Sequence, residues 1–371
     1  MTPIYLDYQA TTPLAPEALA AMGPWLEARF ANPHSPHRPG REAAAAVAFA
    51  REQLVAAIGL AGGRLVFTSG ATEAVNLAIK GAAWASPRRR RIVALASEHA
   101  CVLDTLGWLG QRGFQPVLVP VGADGLVDPD RLAAAVDDDT LLVAAMLVNN
   151  EIGAIQPVAR IAEVARAAGA LFLCDAVQGL GRVAIPDADL VAVSAHKIHG
   201  PKGIGALWVR DGVALEPLLH GGGQEGGLRS GTQAPALCAG FGAAAELAAG
   251  RMVEDRAHAE ALAARARARL TGWQINGGIE QRWPGNLNVR CAGLDAARLI
   301  ADVRGVAFSA GSACASGSGR PSHVLRAIGL ADAEARASIR LGFGRYTRVE
   351  ELNRALDMIL DAADKQGLKA A

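Results

Sequence analysis

The feature that most constrains this chain is an alternation. Seven short apolar runs, at residues 64–68, 91–96, 116–121, 141–148, 170–174, 190–194 and 205–209, are separated by longer alanine-rich stretches. Several runs are apolar almost throughout. A strand with one wet face would alternate polar and apolar residues, so these read as strands covered on both faces. The intervening segments 41–58, 73–83, 101–111, 128–135 and 158–168 hold good helix formers with apolar residues three and four apart. Strand and helix repeated in this order predict an α/β fold built on a mainly parallel, seven-stranded sheet.

The pattern changes near residue 240. One long helical stretch is expected over 239–270, followed by a strand at 286–290, a helix near 296–303, a Gly/Ser-rich segment, and helices near 323–328 and 349–362. This predicts a smaller α+β domain. The expected division is a large domain over 15–245 and a small one built from 1–14 and 246–371, the first segment folding back onto the last. Composition then works by exclusion. The 37 Lys and Arg balance 36 Asp and Glu, which leaves no global field for nucleic acid or an anionic membrane. The basic run 88–91 reads as a solvated turn before a buried strand. No apolar run reaches the roughly 18–20 residues of a membrane span, and the first residues lack the pattern of a secretory signal. Five sparse cysteines suit neither a disulfide framework nor a zinc ribbon. The expectation is a cytoplasmic protein with reduced thiols and no direct nucleic-acid or membrane role.

Chemistry is expected at the ends of the apolar runs, because open α/β sheets bind ligands at the carboxyl ends of their strands. Lys197 follows the run 190–194, ahead of a Gly/Pro turn. A partly desolvated lysine there is nucleophilic toward carbonyls and suits a Schiff base. Lys202 is the alternative, placed inside the turn and so expected to be exposed. His196 and His199 lack a third ligand at supportive spacing, so no metal site is expected. Asp175 directly follows the run 170–174, where a carboxylate is costly without a cation. A protonated pyridine nitrogen would serve, and Gln178 reaches the same place; a helix N-cap is the plainer reading. The turn Thr68-Ser-Gly-Ala-Thr-Glu73 leaves free amides at a helix N-terminus, a natural phosphate cradle, although it is neither a P-loop nor a dinucleotide fingerprint. His99 ends another strand and could stack on a planar ring or simply cap a helix. Cys314 sits among small residues, 309–319, with no bulky apolar neighbour. The other cysteines, 101, 174, 238 and 291, lie in helical or strand patterns and read as packing or remain unexplained.

These segments occur together and in order. Ser69-Gly-Ala-Thr-Glu73, Ser97-Glu-His99, Asn149-Asn-Glu-Ile-Gly153, Asp175-x-x-Gln178, Ser194-x-His-Lys197 with Gly200-Pro-Lys-Gly203, Arg229-Ser-Gly-Thr232 and Gly311-Ser-Ala-Cys314 resemble the pyridoxal-phosphate cysteine desulfurases of the IscS/NifS type. These belong to the class V aminotransferases, of fold type I. Tyr5-Leu-Asp-Tyr-Gln-Ala-Thr-Thr-Pro13, Asn32-Pro-His-Ser35, Pro284-Gly-Asn-Leu-Asn288, Ser338-Ile-Arg340 and Gly344-Arg345 match as well, so the resemblance runs from Tyr5 to about residue 360.

The resemblance implies a fold type I transferase that takes sulfur from L-cysteine, leaving L-alanine and a cysteine persulfide on the enzyme. It implies pyridoxal 5'-phosphate as cofactor, with Lys197 as its Schiff-base partner and proton shuttle. Asp175 would pair with the pyridinium nitrogen, Gln178 would bond the phenolic oxygen and His99 would stack on the ring. Ala71, Thr72, Ser194 and His196 would bind the phosphate, joined by Thr232 reaching the neighbouring subunit of a homodimer. Asn150 and Arg340 would hold the substrate carboxylate, and Cys314 would attack the sulfur. The sulfur would pass to an acceptor protein, an iron–sulfur scaffold or a tRNA or cofactor thiolation enzyme. A selenocysteine lyase, a cysteine sulfinate desulfinase or an aminotransferase is the alternative within the same family. Two features depart from the pattern: the connection 179–189 is short, and the chain ends soon after the last helix, which puts docking of the iron–sulfur scaffold in doubt.

Overall fold

The computed structural model describes residues 3–311 and 321–367. After a short strand β1 (Ile4–Tyr5), the chain builds a seven-stranded sheet from β2 (Gly63–Thr68), β3 (Arg91–Leu95), β4 (Gln115–Val119), β5 (Thr140–Met146), β6 (Leu171–Asp175), β7 (Leu190–Ser194) and β8 (Gly205–Arg210). The strand order is β2-β8-β7-β6-β5-β3-β4. Only β8 runs antiparallel to its neighbours, β2 and β7; every other pairing is parallel.

The near-continuous apolar runs have a direct cause. Alternate residues of the inner strands enter two separate cores on opposite faces, whereas the edge strand β4 leaves Gln115, Pro116 and Leu118 exposed, contrary to the expectation for that run. Val93, Val143, Phe172, Val191 and Trp208 pack into one, whereas Ile92, Leu142, Leu173, Leu190 and Leu207 pack into the other. A period of two carries neighbours to opposite sides, so a sheet covered twice needs apolar residues at every position.

Helix Arg38–Ile58 shows how the flanking layers form. The His37 ring accepts from Gly40 N at 3.2 Å and a proline occupies the first turn. Gly59 ends the helix with φ of 76°, a conformation glycine adopts without steric cost. Ala43, Val47, Ala50, Leu54 and Ile58 are buried along one stripe, and truncating Leu54 to alanine should cost about 2–5 kcal/mol.

The expected single helix over 239–270 is two helices, Pro235–Gly250 and Met252–Arg269, bent by 71°. Gly250 weakens the first at its end, and Glu254 and Asp255 favour a new N-terminus in the second. Arg251, at the break, pairs with both acids. Among the described residues no single helix is long and apolar enough to cross a membrane.

A four-stranded antiparallel sheet follows, with β9 (Gln274–Ile275), β10 (Asn286–Arg290), β12 (Ser309–Ala310) and β13 (Ser338–Gly342) in the order β12-β13-β10-β9. Between them β11 (Val306–Ala307) pairs in parallel with β1, which brings the first residues against this later sheet. Leu287, Val289, Ile339 and Leu341 share a third core with Leu352, Leu356 and Ile359 of helix Val349–Asp364.

Candidate active site

The carboxyl ends of β2, β3, β5, β6 and β7 open on one cavity of about 610 Å³. Because β8 runs backwards, its first residues lie at the same edge. Ala71, Thr72, His99, Asn150, Asp175, Gln178, Ser194, His196, Lys197 and Arg340 all line the cavity. Residues from 71 to 340 of the sequence thus meet in one place. Thr232 is exposed and does not line this cavity. Cys314 lies outside the described residues.

Lys197 ends a short 3-10 turn directly after β7. Its Nζ donates to the carbonyls of Gln9 at 2.6 Å and Ala10 at 2.7 Å. Lys202 is exposed on the rim. Thr12 binds the turn from the same side, its hydroxyl donating to His196 O at 2.9 Å and accepting from His199 N at 2.8 Å. Residues 9–11 form one cavity wall that residue chemistry did not disclose, since its working atoms are backbone carbonyls.

Asp175 ends β6 and is buried. It caps no helix: its Oδ1 accepts from Val177 N at 3.0 Å in a local turn. Burial pushes its carboxyl up, against the pull of that N–H, His99 and Lys197. A carboxylate so placed favours a cation beside it. Beneath it Glu98 is fully buried, with Oε1 accepting from Met146 N at 2.8 Å. Desolvation holds Glu98 well above the ordinary carboxylate range, and the neighbouring Asp175 adds to this.

His99 does two things. It is the N-cap of helix Ala100–Gly110, its Nδ1 accepting from Cys101 N at 3.2 Å, and it lines the cavity. Accepting at Nδ1 places the proton of the neutral ring on Nε2. Burial lowers the His99 pKa, and burial with the charges of Lys197 and Lys202 holds His196 at about 4. Both rings are neutral near pH 7. Burial likewise keeps the thiols of Cys101, Cys174 and Cys238 protonated, so none is a ready nucleophile.

The anion cradle is built at helix Ala71–Ala85. Its N-cap is Gly70, so no side chain occupies the first amides. Glu73, in the first turn, is drawn aside: it accepts from Ser69 N at 2.7 Å and pairs with Arg229 at 2.9 Å. Burial opposes its ionisation, yet these bonds hold it below the usual range. A Cβ on Gly205 would lie 2.6 Å from Gly70 C and 2.8 Å from Ala71 N. Glycine there lets β8 pass against the helix start. An open helix N-terminus favours a phosphate.

Arg340, on β13, is buried, and its Nη1 donates to Asn150 O at 3.0 Å. Its Nη2 pairs with Asp7 at 2.7 Å, and Asp7 also accepts from Ser309 Oγ at 2.8 Å. The Arg340 Nε is buried without a partner among the described residues. Ser309 sits opposite Arg340 in the sheet register.

A lysine, a buried carboxylate, a histidine and an open helix N-terminus thus surround one cavity. Residues 4–355 match the Aminotransferase class-V family, and the chain belongs to it. Within that family it is 43% identical to the cysteine desulfurase IscS of Rickettsia rickettsii, over 98% of this chain and 92% of the relative. Among solved structures, a NifS-like protein superposes with a TM-score of 0.90 at 34% identity, covering 96% of this chain and 98% of the other. SspA in complex with cysteine superposes with a TM-score of 0.83 at 36% identity, covering 93% and 99%. The fold is the type I fold of pyridoxal-phosphate enzymes.

Proposed function

We propose that this chain is a cysteine desulfurase that takes sulfur from L-cysteine, leaves L-alanine and passes the sulfur on from Cys314. The observation that carries the reading is the convergence of Lys197, Asp175, His99, Gln178 and Arg340 on one cavity in a chain 43% identical to an IscS desulfurase.

The donor set fits pyridoxal 5'-phosphate. The amine of Lys197 would anchor it, the open amides at Ala71 and Thr72 with Ser194 and His196 would hold its phosphate, and Asp175 would keep its ring nitrogen protonated. When bound, the cofactor supplies an electron sink for bonds broken at the substrate's carbons. Gln178 would donate to its phenolic oxygen, and the neutral His99 ring would cover one face. Lys197 would move the proton at the substrate α-carbon, while Arg340 and Asn150 would orient the substrate carboxylate. Cys314, as thiolate, would attack the sulfur and become the persulfide as the substrate Cβ–S bond breaks, the electron pair staying with carbon and a proton completing alanine.

A homodimer fits the exposed position of Thr232, which would reach the phosphate of the partner's cofactor. Cytoplasmic placement and an iron–sulfur scaffold or thiolation enzyme as acceptor complete the proposal, with a large domain over 15–245 and a small one from 1–14 and 246–371. Cys314→Ala should retain the visible cofactor absorbance and lose sulfide release from cysteine. Full activity in that variant with free cysteine would overturn the mobile-thiol reading.

A further inference from the structure

Arg182 lies four residues beyond Gln178, outside every motif singled out in the sequence. Its Nη1 donates to both the backbone oxygen of Gln178, at 3.1 Å, and the side-chain Oε1. Its Nη2 donates to Lys197 O at 2.8 Å. The guanidinium stands 5.5 Å from the centre of the Trp283 ring. No carboxylate among the described residues is close enough to form an ion pair with it, and Asp255 acts only from a distance. The side-chain hydrogen bonds of this arginine therefore go to two residues of the site.

We propose that Arg182 is a positioning residue that fixes Gln178 as a hydrogen-bond donor toward the cavity and sets the seat of Lys197. Arginine has donors and no acceptor, so only the oxygen of the Gln178 amide can face it. One amide N–H of Gln178 goes to Gln9 O at 2.9 Å. The remaining N–H is what Gln178 can offer the cavity it lines. A flipped amide would set its oxygen against the Gln9 carbonyl and its NH₂ against the guanidinium, two repulsive contacts in place of two bonds. The same fork grips the backbone of Lys197 and ties both residues to one rigid group. Asp175 and Lys197 are legible from the ends of their strands. Arg182 is not, because it acts through its neighbours.

This inference rests on the reading that the cavity takes pyridoxal 5'-phosphate. A donor on the phenolic oxygen of that group withdraws charge and lowers the proton affinity of the nitrogen contributed by Lys197. The test loads wild-type protein, R182M, Q178A and the double variant with pyridoxal 5'-phosphate and follows the visible absorption band against pH. R182M should move the midpoint upward by about one pH unit, a tenfold change in the proton equilibrium. Q178A should give a similar shift, and the double variant should shift by clearly less than the sum, because both remove the Gln178 donor and only the Lys197 contact is lost separately in R182M. R182K keeps the charge but not the fork and should give a smaller shift. It also serves if R182M does not fold.

An unchanged midpoint in folded R182M or R182K overturns the proposal, and so do additive shifts in the double variant. A lower melting temperature with an unmoved midpoint would mark Arg182 as structural only. Wild-type protein that develops no visible band would overturn the cofactor reading beneath it. A normal wild-type band with unmoved variants overturns this inference alone.

Discussion

The two sheets handle polar groups in opposite ways. In the seven-stranded sheet the strand interiors are apolar and the charged groups that line the cavity, Asp175 and Lys197, stand at or just beyond the strand ends. In the four-stranded sheet they lie within the strands. Asn286, Asn288, Ser338 and Arg340 are buried on one face, while Leu287, Val289, Ile339 and Leu341 fill the other. This polar face grips the loop after β5: Asn286 donates to Asn150 O at 3.2 Å, Asn288 to Glu151 O at 3.0 Å, and Arg340 to Asn150 O. The difference teaches that one sheet places Asp175 and Lys197 at the cavity edge, and the other holds the loop after β5, which contributes to the cavity wall.

Substitutions can break that contrast, and the largest effect is expected at the large sheet. Lys197→Ala should lower the turnover of cysteine by at least about 10²–10⁴-fold while leaving the fold intact by circular dichroism. At the small sheet, Arg340→Lys keeps a charge against Asp7 but loses the fork. It should raise KM for cysteine by roughly 10–100-fold, the equivalent of a hydrogen bond to a charged group, with a smaller change in kcat. An equal fall in kcat with unchanged KM would remove Arg340 from substrate binding.

Asn288→Ala tests whether the polar face also carries stability. It strips the donor from Glu151 O and the acceptor from Asn276, whose Nδ2 donates to Asn288 Oδ1 at 2.8 Å. The expected loss is about 1–3 kcal/mol in a urea titration. Glu98→Gln separates the sheets by pH. The folded pKa of Glu98 is raised, so its favourable contribution is complete below the ordinary carboxylate range and is lost as pH rises through the raised value. The wild type should therefore lose melting temperature over that interval, and the variant should show a flatter profile. At the small end, Arg38→Ala breaks an exposed pair with Glu42 and should change stability by less than about 0.5 kcal/mol.

The large sheet was the more legible of the two. A continuous apolar run that stops at a charged residue marks a strand end at a ligand edge, and Asp175 and Lys197 follow that rule. His99 carried two readings from sequence, a helix cap and a residue stacking on a planar ring; the geometry shows the cap and places the ring in the cavity lining. Arg340 was legible through its resemblance alone, and its pairing with Asp7, 333 residues away along the chain, has no local signal. The break at Arg251 was hidden because alanine-rich sequence on both sides favours helix equally. Residues 9 and 10 were hidden for another reason, since they act through atoms every residue possesses.

That last point reaches beyond this site. Gln9 O serves Lys197 and Gln178 at once, and Ala10 O serves Lys197 again. An alanine scan would pass over both acceptors without a signal, because no side-chain replacement deletes a carbonyl. Only changing the main chain would expose the dependence, for example by replacing the amide link after Gln9 with an ester, which weakens its carbonyl as an acceptor, or by inserting a residue ahead of Gln9. The cavity thus has a support that ordinary mutagenesis is blind to.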